Sequence, residues 1–162
     1  MDKFTTNSPG ETQKIAADVA ERVLAAAPKK SATVLGLEGD LGAGKTTFLQ
    51  GFARGLGIKE VVNSPTFIIM KKFQITNSKS QTNPNNQNPK FKTFYHFDLY
   101  RLEDEKEFEF FNFTEIISNP KNIVAIEWPE KITRILPEAI ISIQFIHKSS
   151  TQRALNIGGL SV

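Results

Sequence analysis

The stretch ATVLGLEGDLGAGKTTFLQGFARGLG, residues 32–57 of a 162-residue chain, decides the fold. Its first seven residues, 32–38, form a short apolar run that suits a strand buried inside a sheet. A glycine-rich loop follows at once, and residues 47–56 then predict a helix that Gly55 and Gly57 bring to an end. A buried strand joined to a helix by so short a loop is typical of a parallel sheet with helices packed on it.

The loop matches the pattern G-x-x-x-x-G-K-[ST] in full, as Gly39, Asp40, Leu41, Gly42, Ala43, Gly44, Lys45 and Thr46, with Thr47 next. Glycines let backbone N–H groups turn inward around a polyphosphate, and the N-terminus of the following helix adds its positive dipole end. Lys45 supplies a charge to the β- and γ-phosphates, Thr46 binds Mg²⁺, and Thr47 reaches the α-phosphate. The loop therefore predicts a Mg-ATP site that all nine residues build.

Two acidic residues come directly after apolar strands. Residues 122–127, NIVAIE, end in Glu127, and the strand predicted at residues 91–97 is followed by Asp98. Ligands of open α/β sheets bind beyond the carboxyl ends of the strands, so both acids should lie beside the loop. Mg²⁺ in such sites is shared between phosphate oxygens, the loop hydroxyl and carboxylates. We therefore predict that Asp98, Glu127 and Thr46 hold the metal, and that both acids and Lys45 are catalytic.

Three polar residues near Asp98 are open to two interpretations. His96 stands alone on an apolar strand, where a histidine is usually structural. Arg101 would either stabilise charge on the γ-phosphate or pair with a nearby glutamate, Glu103 or Glu105. Tyr100 is equally ambiguous.

The rest of the pattern predicts an α/β fold. Ser8, Pro9 and Glu11 form a capping box that starts an amphipathic helix over residues 9–27. An acidic, aromatic helix is predicted at residues 104–117, and further strands at residues 67–73, 91–97, 122–127, 140–147 and 153–157. We expect one P-loop NTPase-like sandwich domain over residues 1–162, whose mixed sheet has a parallel core and an antiparallel C-terminal hairpin.

One segment, residues 76–90 (TNSKSQTNPNNQNPK), contains no aliphatic or aromatic residue. Such a segment cannot bury enough surface to offset the entropy of ordering it. It predicts a mobile surface loop between two strands.

The composition is that of an ordinary globular protein, with 40% hydrophobic and 23% charged residues. No apolar run approaches the roughly 20 residues of a membrane helix, and the first residues lack a secretory signal. Because the chain has no cysteine, disulfides and thiolate metal sites are excluded. We expect a cytoplasmic protein with no membrane partner. The formal charge of +3 gives only weak support for direct contact with nucleic acid.

Four motifs occur in a specific order: GDLGAGKTT at residues 39–47, NSPTF at 63–67, HFDLYRL at 96–102 and IEWP at 126–129. Together they resemble the TsaE (YjeE) family, the small bacterial ATPases of tRNA threonylcarbamoyladenosine synthesis. The resemblance runs from about residue 11 to residue 153. Three features depart from the family pattern. Residues 76–90 are longer than usual, Asn112 stands where the family commonly has glycine, and the family's adenine contacts near the N-terminus have no strong signature in this sequence.

The resemblance implies roles for individual residues. Lys45 and Thr46 correspond to the family's phosphate and Mg²⁺ residues, and Glu127 to its metal-binding acid. Asp98 corresponds to an acid that supports hydrolysis or the metal's surroundings. Residues 64–66, which include Thr66, resemble a switch-like loop near the γ-phosphate, and Trp128 resembles the aromatic neighbour of the nucleotide.

The resemblance also implies partners. In this family the ATPase does not make the modification itself. It binds the catalytic subunit of the threonylcarbamoyl transferase together with that subunit's non-catalytic paralogue, so tRNA is reached only indirectly. We accordingly expect ATP hydrolysis that is weak alone and dependent on the partner complex.

The sequence leaves two other functions open. A small-molecule or nucleotide kinase usually carries several arginines in a lid, whereas the five arginines here are scattered along the sequence. A nucleotide-gated switch with negligible hydrolysis is the second alternative. A GTPase version of that switch would need an [NT]-K-x-D motif, which the sequence lacks.

Overall fold

A seven-stranded mixed sheet forms the centre of the computed structural model, which describes residues 1–64, 69–76 and 90–160. Helices separate some of its strands along the chain. The elements are β1 (Asp2–Thr6), α1 (Pro9–Ala25), β2 (Thr33–Glu38), α2 (Lys45–Gly55), β3 (Met70–Gln74), β4 (Thr93–Asp98), α3 (Phe113–Ser118), β5 (Asn122–Glu127), β6 (Ile141–His147) and β7 (Arg153–Gly158). Short 3-10 helices occupy Glu105–Phe111 and Pro129–Ile132.

The strand order across the sheet is β1-β7-β6-β2-β5-β4-β3. The four central strands, β6, β2, β5 and β4, run parallel, whereas β3 at one edge and β7 and β1 at the other are antiparallel to their neighbours. The predicted fold class, a mixed sheet with a parallel core and an antiparallel C-terminal hairpin of β6 and β7, is confirmed. The parallel core brings the carboxyl ends of β2, β4 and β5 to one edge.

Helices cover both faces of the sheet. On one face α1 and α2 pack over a core that contains Phe48, Phe52 and Phe94. On the other face the first 3-10 helix and α3 pack around Phe97 and Phe108. This burial fixes α2, and therefore the loop that precedes it, against the central strands.

Helix α1 begins at the predicted residue. The Ser8 hydroxyl accepts a hydrogen bond from the backbone N–H of Glu11 at 3.2 Å. The Glu11 carboxylate in turn accepts one from the backbone N–H of Asn7 at 2.8 Å, one residue earlier than in a standard capping box. The helix ends at Ala25, short of the predicted residue 27, because Pro28 disfavours helical backbone in the residue before it.

The prediction of one helix over residues 104–117 is confirmed only in part. The chain forms a 3-10 helix over Glu105–Phe111 and a separate α-helix over Phe113–Ser118. The break lies at Asn112, which adopts left-handed backbone angles with φ 50° and ψ 38°. Glycine, asparagine and aspartate enter this conformation most readily, which accounts for asparagine at a position where glycine was expected.

Three further differences concern strands and boundaries. Strand β1 was not predicted, because a short edge strand with one large apolar residue, Phe4, gives little pattern. Helix α2 starts two residues earlier than predicted, at Lys45. Of the strand predicted at residues 67–73, the described part begins at Met70, since Ile69 has a φ of 58° and residues 67 and 68 lie outside the described residues.

Of the segment expected to be a mobile loop, residues 77–89 lie outside the described residues. Within the described ranges, no helix is long and apolar enough to cross a membrane.

Candidate functional site

The glycine-rich loop connects the end of β2 to the first turn of α2. Gly42 and Gly44 have φ angles of 76° and 105°, a region that other residues adopt only with strain. A Cβ at either position would meet no atom within 4 Å, so these glycines serve backbone conformation rather than close packing. Gly39 differs, because a Cβ there would lie 2.9 Å from Phe145.

Lys45 is the first residue of α2 and is 4% exposed. Its Nζ donates hydrogen bonds to the carbonyl oxygens of Gly39, at 2.5 Å, and Asp40, at 2.9 Å. Burial lowers the pKa of this ammonium below its ordinary value, and the carboxylates of Glu127 and Asp98 offset part of that shift. Lys45 therefore places a positive charge at the glycine-rich loop, close to the carboxylates of Glu127 and Asp98.

Asp98 and Glu127 are neighbours across the sheet, because they pair in register at the carboxyl ends of β4 and β5. The Thr46 hydroxyl donates a hydrogen bond of 3.2 Å to Glu127 Oε1. His96 Nε2 lies 2.9 Å from the same oxygen. The structure thus joins Thr46 to one of the two predicted acids and adds His96, which sequence reasoning had left ambiguous.

Asp98 is buried and accepts hydrogen bonds from two neighbouring loops. Its Oδ2 accepts a hydrogen bond from the Ser64 hydroxyl, and its Oδ1 accepts one from the backbone N–H of Tyr100 at 3.1 Å. Ser64 belongs to the segment predicted to act as a switch. Thr66, the predicted nucleotide contact in that segment, lies outside the described residues.

Trp128 follows Glu127 in left-handed backbone conformation, with a φ of 63° and a ψ of 50°. A tryptophan rarely takes this conformation, and such strain is retained where the surroundings fix it. Its ring lies 4.0 Å from Lys45 Nζ and 5.3 Å from the ring of Tyr100. The strained turn brings an aromatic face against the lysine of the loop.

These side chains surround one cavity of about 450 Å³. Its lining consists of Leu41, Gly42, Ala43, Gly44, Lys45, Thr46, Thr47, Ser64, Asp98, Tyr100, Arg101, Glu127 and Trp128. Gly39 and Asp40 take part differently, through the carbonyl oxygens that hold Lys45. Ala43 is also packed in the core, whereas Leu41 is 73% exposed. The predicted loop and acidic residues therefore meet at one place.

The donors at this cavity suit a magnesium ion. The Thr46 hydroxyl and the carboxylates of Glu127 and Asp98 offer oxygen atoms, the ligands that Mg²⁺ prefers. No cluster of three or more histidine, cysteine, aspartate or glutamate side chains occurs in the described part of the chain. Mg²⁺ is usually held by one or two carboxylates together with phosphate oxygens, so this sparse set fits a metal that arrives with a nucleotide.

A second cavity, of about 260 Å³, opens on the other side of the loop. It shares Gly42, Gly44 and Thr47 with the first. Its remaining walls come from the β1–α1 connection and from the β6–β7 hairpin, as Thr6, Asn7, Ser8, Pro9, Thr12, Ser150, Thr151 and Arg153. Sequence reasoning missed these residues, because no motif marks them and the fold alone brings both segments to the loop.

A glycine-rich loop of the phosphate-binding pattern between a central strand and a helix, with acids on two adjacent strands, defines an α/β protein of the P-loop type. The model of the family described as "Threonylcarbamoyl adenosine biosynthesis protein TsaE" matches residues 6–155. The chain therefore belongs to the TsaE family, as its motifs predicted.

Individual relatives agree with this family. A "tRNA threonylcarbamoyladenosine biosynthesis protein TsaE" from Bacillus subtilis is 38% identical over 157 residues, which cover 94% of this chain and 82% of that protein. A relative of the same name from Haemophilus influenzae is 40% identical over 112 residues, or 69% of this chain and 61% of the relative. The crystal structure of "Bacillus subtilus YdiB" superposes with a TM-score of 0.64 at 28% identity, covering 99% of this chain and 86% of that one.

Proposed function

We propose that this protein is an ATPase that binds Mg-ATP in the cavity beside the glycine-rich loop and supports turnover in the N6-threonylcarbamoyladenosine modification of tRNA. The observation that carries the proposal is the convergence of Lys45, Thr46, Asp98 and Glu127 on that cavity. Membership of a family named for threonylcarbamoyladenosine biosynthesis supplies the pathway.

The phosphates would lie against the loop and the N-terminus of α2, where backbone N–H groups without intrahelical partners point outward. Lys45 is already positioned there and needs only to exchange its carbonyl partners for phosphate oxygens. Bound Mg²⁺ neutralises phosphate charge, and Thr46 and Glu127 are the residues to hold it. Asp98, beside Glu127 at the same sheet edge, is suited to orient the attacking water or to complete the metal's surroundings.

The second cavity supports a place for the nucleoside. Because it shares three loop residues with the first, a polyphosphate along the loop would carry its nucleoside towards the β1–α1 connection and the β6–β7 hairpin. The side-chain amide of Asn7 and the hydroxyl of Thr151, which line this cavity, are suitable hydrogen-bond partners for a base or ribose.

Hydrolysis would depend on the transferase catalytic subunit and its non-catalytic paralogue, the partners that the family resemblance implies. Among the described residues, Arg101 is the one arginine that lines the cavity beside the glycine-rich loop. Neutralisation of transition-state charge by an arginine is worth about 10³–10⁵ in rate, so a partner that supplies or orders such a charge would stimulate strongly. A partner could act equally by contacting residues 64–66, the segment that resembles a switch.

Calorimetric titration of ATP, with and without Mg²⁺, tests the nucleotide site. We expect one ATP per chain, with Mg²⁺-dependent affinity that Glu127→Ala reduces more than it reduces metal-free binding. If the wild type does not bind ATP, or if ATP binding by Glu127→Ala depends on Mg²⁺ as it does in the wild type, the assignment is contradicted. Transfer of phosphate from ATP to a small-molecule acceptor rather than to water would identify a kinase instead.

A further inference from the structure

His96 is a completely buried polar residue that the proposed mechanism does not use. It lies on β4, two residues before Asp98, and its Nε2 is 2.9 Å from Glu127 Oε1. Its other ring nitrogen, Nδ1, is also buried and has no hydrogen-bond partner among the described residues. The single polar contact of this ring is therefore directed at a proposed metal ligand.

The chemistry of the pair decides which atom donates. An ionised carboxylate only accepts hydrogen bonds, so Nε2 carries the hydrogen that lies between the two side chains. A hydrogen on Nδ1 would be a buried donor without a partner, which is unfavourable. The geometry thus places a hydrogen on Nε2, which donates to Glu127.

The register of the sheet explains how the ring reaches this carboxylate. Asp98 pairs with Glu127 and His96 pairs with Ala125, so these four residues share one face of the sheet. The residue beside His96 is an alanine, and its small side chain leaves the imidazole room to lean along β5. Glu127 is then within hydrogen-bond distance on the diagonal.

We propose that His96 is a positioning residue for the metal-binding carboxylate of Glu127. Both hydrogen bonds that the described residues make to this carboxylate, from His96 and from Thr46, go to Oε1. Glu127 Oε2 would then be the carboxylate oxygen that holds the cation. The Thr46 hydroxyl can keep its hydrogen on Glu127 while a lone pair binds the metal, because a hydroxyl has one hydrogen and two lone pairs. The inference rests on the proposed Mg-nucleotide site.

A purely structural role for His96 makes a different prediction. If the ring only fills space in the core, its replacement weakens metal-free and metal-dependent nucleotide binding to the same extent, through loss of stability. If the ring positions Glu127, the loss falls on the metal alone. Metal affinity measured apart from nucleotide affinity therefore separates the two roles.

The test uses Mn²⁺ as the probe and the electron paramagnetic resonance signal of free Mn²⁺ as the readout, with the full chain saturated with ADP. His96→Leu removes the donor, and we expect it to weaken Mn²⁺ binding about 10–100-fold, the usual effect of losing a residue that orients a metal ligand. His96→Gln, whose amide nitrogen can stand at the Nε2 position, should recover most of this loss. His96→Asn places its amide nearer the Nδ1 position and should behave like His96→Leu, which provides a second test if the leucine variant does not fold.

Tyr95→Leu is the matched control, because residue 95 lies on the same strand with its side chain on the opposite face. In the presence of EDTA, ADP affinity should be the same in all these variants and in the wild type. Equal Mn²⁺ affinity in the wild type and in folded His96→Leu, or equal losses of Mn²⁺ and metal-free ADP affinity, would overturn the positioning role alone. Absence of ADP binding by the wild type would overturn the proposed nucleotide site and this inference with it.

Discussion

Replacement of Lys45 by methionine separates binding from folding at the glycine-rich loop. Methionine keeps most of the side-chain length and removes the charge. In the structure this ammonium donates to the carbonyl oxygens of Gly39 and Asp40 and lies 4.0 Å from the ring of Trp128. The substitution therefore removes two hydrogen bonds within the protein and, on our account, the charge that meets the phosphates.

The two losses have different sizes. A hydrogen bond to a charged group contributes about 1.5–3 kcal/mol, and 1.4 kcal/mol corresponds to a tenfold change, so ATP should bind about 10–150-fold more weakly. The free energy of unfolding should change less, by no more than about 2 kcal/mol, because the lost contacts are offset by relief of the buried charge. Burial lowers the pKa of Lys45, which shows that the folded protein disfavours its charged form.

The assay is calorimetric titration of ATP at fixed Mg²⁺, paired with denaturant unfolding of the same samples. Lys72→Met is the control, since Lys72 also lies over an aromatic ring, that of Tyr95 at 5.7 Å, and does not line the cavity. It should bind ATP like the wild type. Wild-type affinity in folded Lys45→Met, or an equal loss in Lys72→Met, would refute the reasoning.

Three further predictions concern stability, each measured by denaturant unfolding. Asn112→Ala should lower the free energy of unfolding by about 1 kcal/mol and Asn112→Gly should not, because the backbone there is left-handed; equal losses would contradict this reason. Gly51→Ala should destabilise by about 1–3 kcal/mol, since a Cβ would lie 2.2 Å from the Gln13 carbonyl oxygen, and wild-type stability would show that α1 can move away. The hydrogen bond from Arg22 lowers the pKa of Asp2, so the stabilisation from this contact is lost as pH falls through that lowered pKa. Asp2→Asn should therefore have a lower free energy of unfolding than the wild type at neutral pH and an equal one in acid. A difference that stays constant with pH would argue against the contact.

The sequence predicted most of what local pattern controls. Apolar runs marked β2 and β5, and the loop, in which the glycines, Lys45 and Thr46 match the phosphate-binding pattern, lies between a strand and a helix. Because ligands of open α/β sheets bind beyond the carboxyl ends of the strands, the sequence also predicts that Asp98 and Glu127 lie at one edge of the sheet. These features can be predicted because burial and loop geometry directly restrict which residue types occur at each position.

Features that depend on distant contacts were not predictable. Strand β1 is recognisable only through its pairing with β7, and the second cavity forms because that pairing brings the β1–α1 connection and the β6–β7 hairpin to the loop. The contact between His96 and Glu127 depends on strand register and on a small neighbour, Ala125. The division of the predicted helix over residues 104–117 at Asn112 was not predictable, because Phe108 and Phe113, on the two sides of the break, pack in one hydrophobic cluster formed by distant residues.

The most direct test of the proposed function is steady-state phosphate release from Mg-ATP across a titration of the transferase catalytic subunit and its paralogue. The account predicts slow release by the isolated chain and a saturable increase, by orders of magnitude, as the partner complex is added. Asp98→Ala and Glu127→Ala should remain slow throughout. Fast release by the chain alone that the partners leave unchanged would show an autonomous enzyme, and no release at any partner concentration would show a nucleotide switch.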